Sequence, residues 1–327
     1  MFRAGYVLID KLKKNILISI AAAALIYLAL SIYADYKEVA KAFSIFNWLW
    51  FPILLILSYL NYFTRFLKWN YYLKLLKFKV SLKASFDIFM SGLVMSVTPG
   101  KFGELLKSIM LKKVADIPIS KSAPIILVER ITDFLSLLII ALIGTYFYGI
   151  GTAVVFSTLA VFIILVIFLS NKKLAGSALK LFSKIKFINK YIENFEHAYQ
   201  SSYIMLKPEP LIKMTVLSFV SWFFECFGFY IILINFDLDI TVMWSSFVYA
   251  FSTIVGSLTL LPGGLGVTDG SLTFLMVNNN IDKFVAVAST LIIRVATLWF
   301  AVLVGMISVI IFQNRFGKIE FNNNAGK

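Results

Sequence analysis

Apolar runs follow one another along almost the whole chain, and short segments that carry most of the charged residues separate them. A helix needs roughly 20 apolar residues to cross a hydrocarbon core of about 30 Å. By this measure the pattern predicts an all-α polytopic membrane protein with a single transmembrane domain over residues 1–327. Six runs are long enough to span fully, and they cover residues 15–33, 48–67, 122–147, 152–170, 212–234 and 284–312.

Two further apolar blocks, at 84–113 and 243–277, are each interrupted near the centre by a similar motif. Residues 98–103 read TPGKFG and residues 261–266 read LPGGLG, with the Pro-Gly pairs 163 positions apart. Proline ends a helix because it lacks an N–H, and glycine allows the tight turn that follows. Each block is predicted to be a re-entrant hairpin of two half-helices, since about 14 residues rise only ~21 Å. Two crossing helices per block would give the same loop positions and stay an alternative.

The chain has 31 Lys and Arg against 17 Asp and Glu, a net charge of +14. The basic residues lie in short loops, which is typical of the cytoplasmic side of a membrane protein, so they do not indicate nucleic-acid binding. One set of segments holds 23 basic and 6 acidic residues, and the other holds 3 and 5. The first set, predicted to be cytoplasmic, is 1–14, 65–83, 112–121, 171–211 and 313–327, and the second is 34–47, 148–151, 235–242 and 278–283.

This sidedness predicts eight helical membrane segments in two repeats of opposite orientation, each built as span, hairpin, span. The first repeat covers residues 48–147, and the second, inverted repeat covers 212–312. Both termini are predicted to be cytoplasmic, in a multi-pass protein of the cell membrane. The basic loop 171–211 interleaves lysines with Leu and Ile, which fits either an interfacial helix on an anionic leaflet or a solvated connector.

Several charged residues fall inside the predicted membrane segments, where each costs at least ~2.5–3.5 kcal/mol at a helix centre. Asp87 and Lys213 lie at segment ends, and they are expected to reach water. The others are expected to pair, to face water or to contact a polar ligand. They are Lys101, Glu104, Lys107, Glu129, Arg130, Asp133, Glu225, Asp269 and Arg294.

The Pro-Gly motifs indicate an anionic ligand. A half-helix that starts at mid-membrane presents free N–H groups and the positive end of its dipole, which suits a phosphate. Lys101 and the N–H groups near Gly100 and Gly103 are predicted to hold an anionic headgroup from the cytoplasmic side. The predicted substrate-binding set is Pro99, Gly100, Lys101, Gly103, Glu104, Lys107, Glu129, Arg130, Asp133, Pro262, Gly263, Gly264, Gly266, Asp269 and Arg294.

Structural explanations of the same residues stay open from the sequence. A Pro-Gly motif also forms a simple tight turn between packed helices, and Glu129, Arg130 and Asp133 also suit an ion-pair lock. Glu225 is either a coupling-ion or proton site or a protonated carboxyl held by a hydrogen bond. No cofactor or metal is predicted, because the chain has one cysteine and one histidine.

Three motifs in order resemble the signatures of a flippase-like membrane family: residues 99–104 (PGKFGE), Glu129-Arg130 with Asp133, and residues 262–267 (PGGLGV). That family includes the transmembrane region of lysylphosphatidylglycerol synthases and stand-alone members of uncharacterised protein family 0104. The resemblance covers nearly the whole chain and implies a lipid-translocating integral membrane domain. Two departures stand out: Lys101 replaces a common Arg, which exchanges bidentate phosphate binding for a point charge, and Asp269 replaces a frequent Glu.

The leading hypothesis is a lipid or lipid-phosphate translocase that moves an anionic or polar headgroup between leaflets by alternating access. Its partner would be a membrane lipid with a phosphate-bearing headgroup, and Arg130 and Arg294 would be charge partners. The first hairpin is expected to hold the headgroup and the second to shape the path. The sequence has no ATP-binding P-loop, so a gradient, a coupled ion or mass action would drive the movement.

Two rival hypotheses belong to other classes of protein. One is a membrane-embedded enzyme acting on polyprenyl or glycerolipid phosphates, with Glu104 or Asp133 as general base, although the sequence shows no nucleophile motif. The other is a non-transporting partner of a lipid-modifying synthase that docks through residues 171–211. A homo-oligomer or a lipid-modifying enzyme partner is compatible with either. No aminoacyl-transferase domain follows residue 327, so the chain is not expected to make lysyl-lipid by itself.

Overall fold

The computed structural model describes residues 3–171 and 192–317, and these residues form helices and turns without a β-strand. The first part contains α1 (Arg3–Tyr33), α2 (Tyr36–Ile45), α3 (Phe51–Leu75), α4 (Leu82–Gly92), α5 (Leu106–Ala115), α6 (Ile119–Tyr148) and α7 (Thr152–Ser170). The second contains α8 (Ile192–Met205), α9 (Pro208–Ile234), α10 (Val242–Leu258), α11 (Val267–Asn278), α12 (Lys283–Arg294) and α13 (Phe300–Phe316). The predicted all-α class is confirmed for this part of the chain.

Four helical stretches in the described residues are long and apolar enough to cross a membrane. They are Trp48–Leu75, Thr152–Ser170, Pro208–Ile234 and Lys283–Phe316, which match four of the six predicted spans. The predicted span at 122–147 is the continuous 30-residue helix α6, which lies outside that set. The number of such spans is therefore four, or five with the bent pair at the N-terminal end.

The predicted first span, 15–33, is the later part of the longer helix α1. The stretch Leu17–Tyr33 meets α2 at an angle of 97°. Asp35 makes this bend with a φ of 63°, a left-handed conformation that Asp tolerates better than most residues. Its carboxylate accepts a hydrogen bond from the N–H of Lys37 at 3.0 Å and so caps α2.

Both predicted hairpin blocks are broken helices in the structure. The first half of each starts from a hydroxyl cap: Ser81 accepts from the N–H of Ala84 at 3.3 Å, and Thr241 accepts from the N–H of Trp244 at 3.2 Å. A cap of this kind satisfies one of the free N–H groups at a helix start. Between α4 and α5 the chain forms the short 3₁₀ segments Leu93–Val97 and Pro99–Leu105.

The second break is made by residues with positive φ. Leu260 has a φ of 55°. Gly263 and Gly266 have φ values of 60° and 81°, and a glycine adopts such values without steric strain. The segment Pro262–Gly264 is a turn, because Gly263 has non-helical backbone angles, and α11 begins directly after Gly266. The two breaks meet, since the N–H of Gly100 donates to the carbonyl oxygen of Leu260 at 2.8 Å.

Helices of the first predicted repeat pack against helices of the second. Helix α3 packs against α9, α4 packs against α13, and α10 packs against α6. The first helix of each broken block therefore lies on the last helix of the other predicted repeat: α4 lies on α13, and α10 lies on α6. A glycine permits close approach at both contacts: Gly144 of α6 faces the ring of Phe247, and Gly305 of α13 faces the backbone at Val94.

The basic loop predicted at 171–211 lies only partly within the described residues, since 172–191 fall outside them. Its described part contains α8, which packs against α6 and α7. Met205 and Leu206 are buried there. In this part of the loop Met205 and Leu206 pack on the helical bundle, whereas Phe195 is exposed.

Gly305→Ala is expected to lower the stability of the protein by about 1–3 kcal/mol, because overpacking forces neighbouring atoms to shift. A Cβ at this position would overlap the backbone of Val94. The measurement is the midpoint of thermal unfolding in detergent. The matched control is Gly270→Ala in α11, where an added Cβ has no heavy atom within 4 Å. Equal midpoints for the two variants would contradict the predicted contact between α13 and residues 93–97.

Candidate functional site

A cavity of about 310 Å³ lies where the two broken blocks meet. Gly100 lines it from the first break, and Gly263 and Gly264 line it from the second. Among the described side chains, its charged lining is three arginines, Arg65, Arg130 and Arg294, and two carboxylates, Asp133 and Glu225. We call this space the central cavity.

The three arginines come from three different helices. Arg65 lies on α3, Arg130 on α6, and Arg294 is the last residue of α12. The π-helical segment Val295–Trp299 follows Arg294 and joins α12 to α13, and π turns are frequent at functional sites. Tyr62 of α3 fixes this turn, since its hydroxyl donates to the carbonyl oxygen of Thr297 at 2.6 Å.

Asp133 is the carboxylate that joins these helices. Its Oδ1 accepts from Nζ of Lys68 at 2.5 Å and from the hydroxyl of Ser218 at 3.0 Å. Its Oδ2 lies 3.6 Å from Nη1 of Arg130 and 3.9 Å from Nη2 of Arg65. One carboxylate of α6 thus binds groups on α3 and α9, and the long distances to the two arginines leave those ion pairs loose.

A second set of ion pairs lies behind the cavity. Lys107 of α5 donates to Glu129 at 2.6 Å and lies 3.3 Å from Glu104. Its ammonium group also lies over the rings of Trp69 and Phe89, 4.8 and 5.2 Å from their centroids. We call the set of four cations and three carboxylates the first charge network; its members are Arg65, Lys68, Lys107, Arg130, Glu104, Glu129 and Asp133.

Arg130 connects this network to the cavity. Its Nη2 lies 3.1 Å from both carboxylate oxygens of Glu104, and its Nε is buried without a hydrogen-bond partner. A buried guanidinium N–H without a partner is costly in a low-dielectric interior.

The second break is closed by its own ion pair. Nε of Arg294 lies 2.8 Å from Oδ1 of Asp269, and its Nη2 donates to the carbonyl oxygen of Gly263 at 2.6 Å. The other oxygen of Asp269 accepts from the N–H of Gly266 at 2.7 Å, which caps α11. Asp269 and Arg294 therefore fix the shape of the second motif from both ends.

The structure sorts the predicted site residues by position. Seven line the cavity, namely Gly100, Arg130, Asp133, Glu225, Gly263, Gly264 and Arg294. Four lie behind it in ion pairs, namely Glu104, Lys107, Glu129 and Asp269. Pro99, Gly103, Pro262 and Gly266 belong to the turns. The side chain of Lys101 lies outside the described part of the structure.

The N–H groups of Gly100 and Gly103 themselves already have hydrogen-bond partners. The N–H of Gly100 donates to Leu260, and the N–H of Gly103 donates to Oγ1 of Thr98 at 3.1 Å. Both groups are satisfied inside the protein, because the first outgoing segment is a 3₁₀ helix folded against Thr98 and the second motif. The cationic groups that reach the cavity come from side chains instead.

Two functional candidates were placed wrongly by the sequence. Arg65 and Lys68 were assigned to the cytoplasmic segment 65–83, but α3 continues to Leu75 and buries both side chains. Hydropathy ends the span early because charges lower the local average. The helical spacing of Tyr62, Arg65 and Trp69 would have placed them on one buried face.

Asp87 also differs from its prediction, since it is buried rather than open to water. It pairs with Arg315, which lies near the end of α13 within the predicted C-terminal loop 313–327. The contact between α4 and α13 brings the two residues together. Lys213 fits its prediction: its side chain is exposed and donates to Glu209 at 2.6 Å.

Apolar side chains line the cavity beside the charged ones. Leu127, Leu260 and Leu261 line it and are 44%, 57% and 45% exposed. Phe134, Leu137 and Leu298 also line it. The lining of the central cavity is therefore amphipathic, because it combines arginines with leucines.

Comparison with known proteins gives a family. The family model described as "Lysylphosphatidylglycerol synthase TM region" matches residues 16–305. A UPF0104 membrane protein of Methanocaldococcus jannaschii is 26% identical over 234 residues, which cover 68% of this chain and 95% of the relative. A UPF0104 membrane protein of Archaeoglobus fulgidus is 26% identical over 291 residues, covering 81% and 86%.

A UPF0104 membrane protein of Methanothermobacter thermautotrophicus is also similar, with 23% identity over 270 residues. That match covers 74% of this chain and 79% of the relative. The family match includes all of the charged residues that line the central cavity.

Lys68→Met is expected to lower the free energy of unfolding by about 3–5 kcal/mol, because it leaves Asp133 short of its closest buried cation. The measurement is unfolding in detergent by heat or denaturant. Lys74→Met is the control, since Lys74 lies on the same helix but is exposed, and such changes cost within about 0.5 kcal/mol. In a double-mutant cycle with Asp133→Asn, the two substitutions are expected to couple by at least ~1 kcal/mol. Purely additive losses would show that the pair does not contribute.

Proposed function

The chain belongs to the membrane family of the lysylphosphatidylglycerol synthase transmembrane region, and we propose that it is a lipid translocase whose central cavity takes an anionic headgroup. The observation that carries the proposal is the amphipathic lining of that cavity. Three arginines line a space of about 310 Å³ together with partly exposed leucines. Arg guanidinium groups suit phosphate because their planar donors match its oxygens.

The charge of the cavity supports an anionic ligand. Among the described residues, Arg65 has one ion pair, at 3.9 Å, and its side chain is largely buried. Arg130 lines the cavity, and its Nε is buried without a hydrogen-bond partner in the described part of the chain. A phosphate between these two groups would replace the contacts at 3.6 and 3.9 Å that they make with Asp133, while Lys68 still pairs with that carboxylate.

The apolar side supports a lipid rather than a free anion. Leu260 and Leu261 belong to the second break, and Leu127 lies one turn before Ile131 on α6. Each of these leucines is both exposed and part of the cavity lining. An acyl chain could stay in the hydrocarbon beside these leucines while its headgroup contacts the arginines.

We infer that the two halves, 48–147 and 212–312, are inverted repeats that alternate in opening the cavity to the two sides. The exchanged packing of α4 on α13 and α10 on α6 supports this arrangement. The direct contact of the two breaks at Gly100 and Leu260 supports it as well. We further propose that the protein is a multi-pass protein of the cell membrane with cytoplasmic termini. It would act as a homo-oligomer or beside a lipid-modifying enzyme.

The enzyme hypothesis has less support from the geometry. Its candidate general bases, Glu104 and Asp133, each accept from cations, Glu104 from Arg130 and Asp133 from Lys68. A carboxylate whose oxygens are committed to buried cations is a weak base. Both residues therefore fit a role in holding the arginines in place.

Arg65→Gln and Arg130→Gln are each expected to slow lipid movement at least tenfold, a loss of about 1.4 kcal/mol, because each removes a charged headgroup partner. The measurement uses purified protein in liposomes that contain fluorescent phosphatidylglycerol. The rate at which a membrane-impermeant reductant gains access to label from the inner leaflet reports the movement. Lys213→Gln is the control, since its side chain is 57% exposed on α9.

The outcomes separate the hypotheses. Normal rates in both arginine variants, with folding verified by their unfolding midpoints, would overturn the headgroup site. A change in the mass of the lipid would support the enzyme. The non-transporting partner would be supported by two results together. Wild type would move no lipid in liposomes, and its function in cells would be lost only when residues 172–191 are deleted.

A further inference from the structure

Hydroxyl groups line the central cavity as well as arginines. Thr253 and Ser257 of α10 line it one helical turn apart, and both side chains are half-buried. Tyr62 of α3 and Thr297 of the π-helical segment also line it, and both are buried. A few polar groups placed in this way in a ligand site fix the orientation of the ligand and provide specificity.

Three of these hydroxyls already use their single proton inside the protein. Oγ1 of Thr253 donates to the carbonyl oxygen of Tyr249 at 2.8 Å, and Oγ1 of Thr297 donates to that of Ile293 at 2.7 Å. The hydroxyl of Tyr62 donates to the carbonyl oxygen of Thr297 at 2.6 Å. A carbonyl oxygen only accepts hydrogen bonds, so the direction of all three bonds is fixed.

The use of these protons determines which ligand groups the hydroxyls favour. A threonine inside a helix commonly bonds to the carbonyl four residues earlier, as Thr253 and Thr297 both do. The oxygen of a threonine hydroxyl keeps its two lone pairs after the proton has been donated. A ligand acceptor would therefore only exchange one hydrogen bond for another, whereas a ligand donor would add a bond and break none.

Thr253 is the best placed of the three hydroxyls for contact with a ligand. Tyr62 and Thr297 are 2% and 5% exposed, whereas Thr253 is half-buried. Tyr249 lies one turn before Thr253 on α10, lines the cavity and donates its own proton to Glu225 at 2.7 Å. Two hydroxyl oxygens whose protons are in use therefore lie on one face of α10.

The arginines of the cavity have the opposite hydrogen-bonding character. A guanidinium group has five N–H donors and no acceptor, so Arg65 and Arg130 bind only acceptor atoms of a ligand. The headgroup that matches both sets has phosphate oxygens and, beside them, O–H or N–H groups. The cavity volume of about 310 Å³ falls within the range of small-molecule sites, ~300–1,000 Å³, which suits a compact headgroup.

We propose that the central cavity selects lipids whose headgroup carries an O–H or N–H donor beside the phosphate, and that Thr253 determines this specificity. The inference rests on the proposed function and names the class of headgroup. Glycerol, inositol and sugar headgroups supply O–H groups, and ethanolamine supplies N–H groups. Choline and simple alkyl headgroups supply neither. The oxygen of Thr253 accepts from the headgroup donor while an arginine binds the phosphate.

The test compares lipids that differ in the donor and not in net charge. The first pair is dihexanoyl phosphatidylglycerol and dihexanoyl phosphatidylpropanol, which share their charge and chain length. The second pair is dihexanoyl phosphatidylethanolamine and dihexanoyl phosphatidylcholine, which are both zwitterionic. Calorimetry with the purified protein in detergent measures the affinity for each lipid. We expect wild type to bind the donor-bearing lipid about tenfold more tightly in at least one pair, the upper range for one added hydrogen bond.

The two pairs distinguish the sources of the donor. A preference in the first pair alone would assign hydroxyl-bearing headgroups, and a preference in the second pair alone would assign ammonium headgroups. A preference in both pairs would show that the cavity takes either donor. Each of these three results supports the proposed selectivity.

Variants of Thr253 connect the preference to its hydroxyl. Thr253→Val keeps the branched shape and is expected to lower the preference to less than about threefold, with the affinity for the donor-lacking lipid unchanged within about twofold. Thr253→Ser keeps the hydroxyl and is expected to keep the preference. Thr64→Val is the matched control, because Thr64 donates in the same way to the carbonyl oxygen of Leu60 at 2.9 Å but does not line the cavity. Unfolding midpoints verify that each variant is folded.

The results that contradict the proposal are separate from those that contradict the proposed function. Equal affinities within both pairs for wild type, with phosphatidylglycerol still bound, would overturn the selectivity and leave the proposed function standing. A preference that persists in Thr253→Val would overturn the role of Thr253. Failure of wild type to bind either anionic lipid would overturn the proposed function as well.

Discussion

An ionised carboxylate in the interior of a membrane protein is costly unless cations or hydrogen-bond donors lie beside it, and Asp133 meets this constraint with cations. Its two oxygens contact Lys68, Arg65 and Arg130, and Ser218 adds a hydrogen bond from α9. These contacts join three helices that are far apart in sequence. Because removal of any partner leaves a charge uncompensated in low dielectric, the helices have one arrangement that satisfies the whole set. The arginines of the cavity depend on that arrangement for their direction.

The broken helices make room for this polar centre. A continuous helix satisfies its own N–H and carbonyl groups and leaves only side chains to reach a ligand. The two Pro-Gly motifs end four shorter helices near one point, where the chain is held by Gly100 to Leu260 and by Arg294 to Gly263. The N–H groups of Gly100, Gly103 and Gly266 are bonded within the protein, so these three differ from the free N–H groups of a phosphate site at a helix N-terminus.

The charged residues around the cavity divide between those that hold the helices together and those that line the cavity. Lys68 and Lys107 are almost fully buried and pair at 2.5 and 2.6 Å, which fits a role in holding the helices together. Arg65 and Arg130 lie farther from Asp133 and line the cavity, and Arg130 also donates to Glu104 at 3.1 Å. In our proposal the headgroup takes these two cations from Asp133, while the shorter ion pairs of Lys68 and Lys107 hold the helices in place.

The sequence by itself determined that the chain is a helical membrane protein. It also determined where the two helical blocks are broken and which charged residues lie among apolar ones. These features are local, since hydropathy, proline and glycine act over about 20 residues or fewer. Only the tertiary structure decided that Arg65 and Lys68 are buried, that Asp87 pairs with Arg315, and which charged residues face the cavity. Those outcomes depend on distances between segments such as α3, α6 and α9. A hydropathy average cannot distinguish a charged residue in a loop from one that pairs with a residue on another helix.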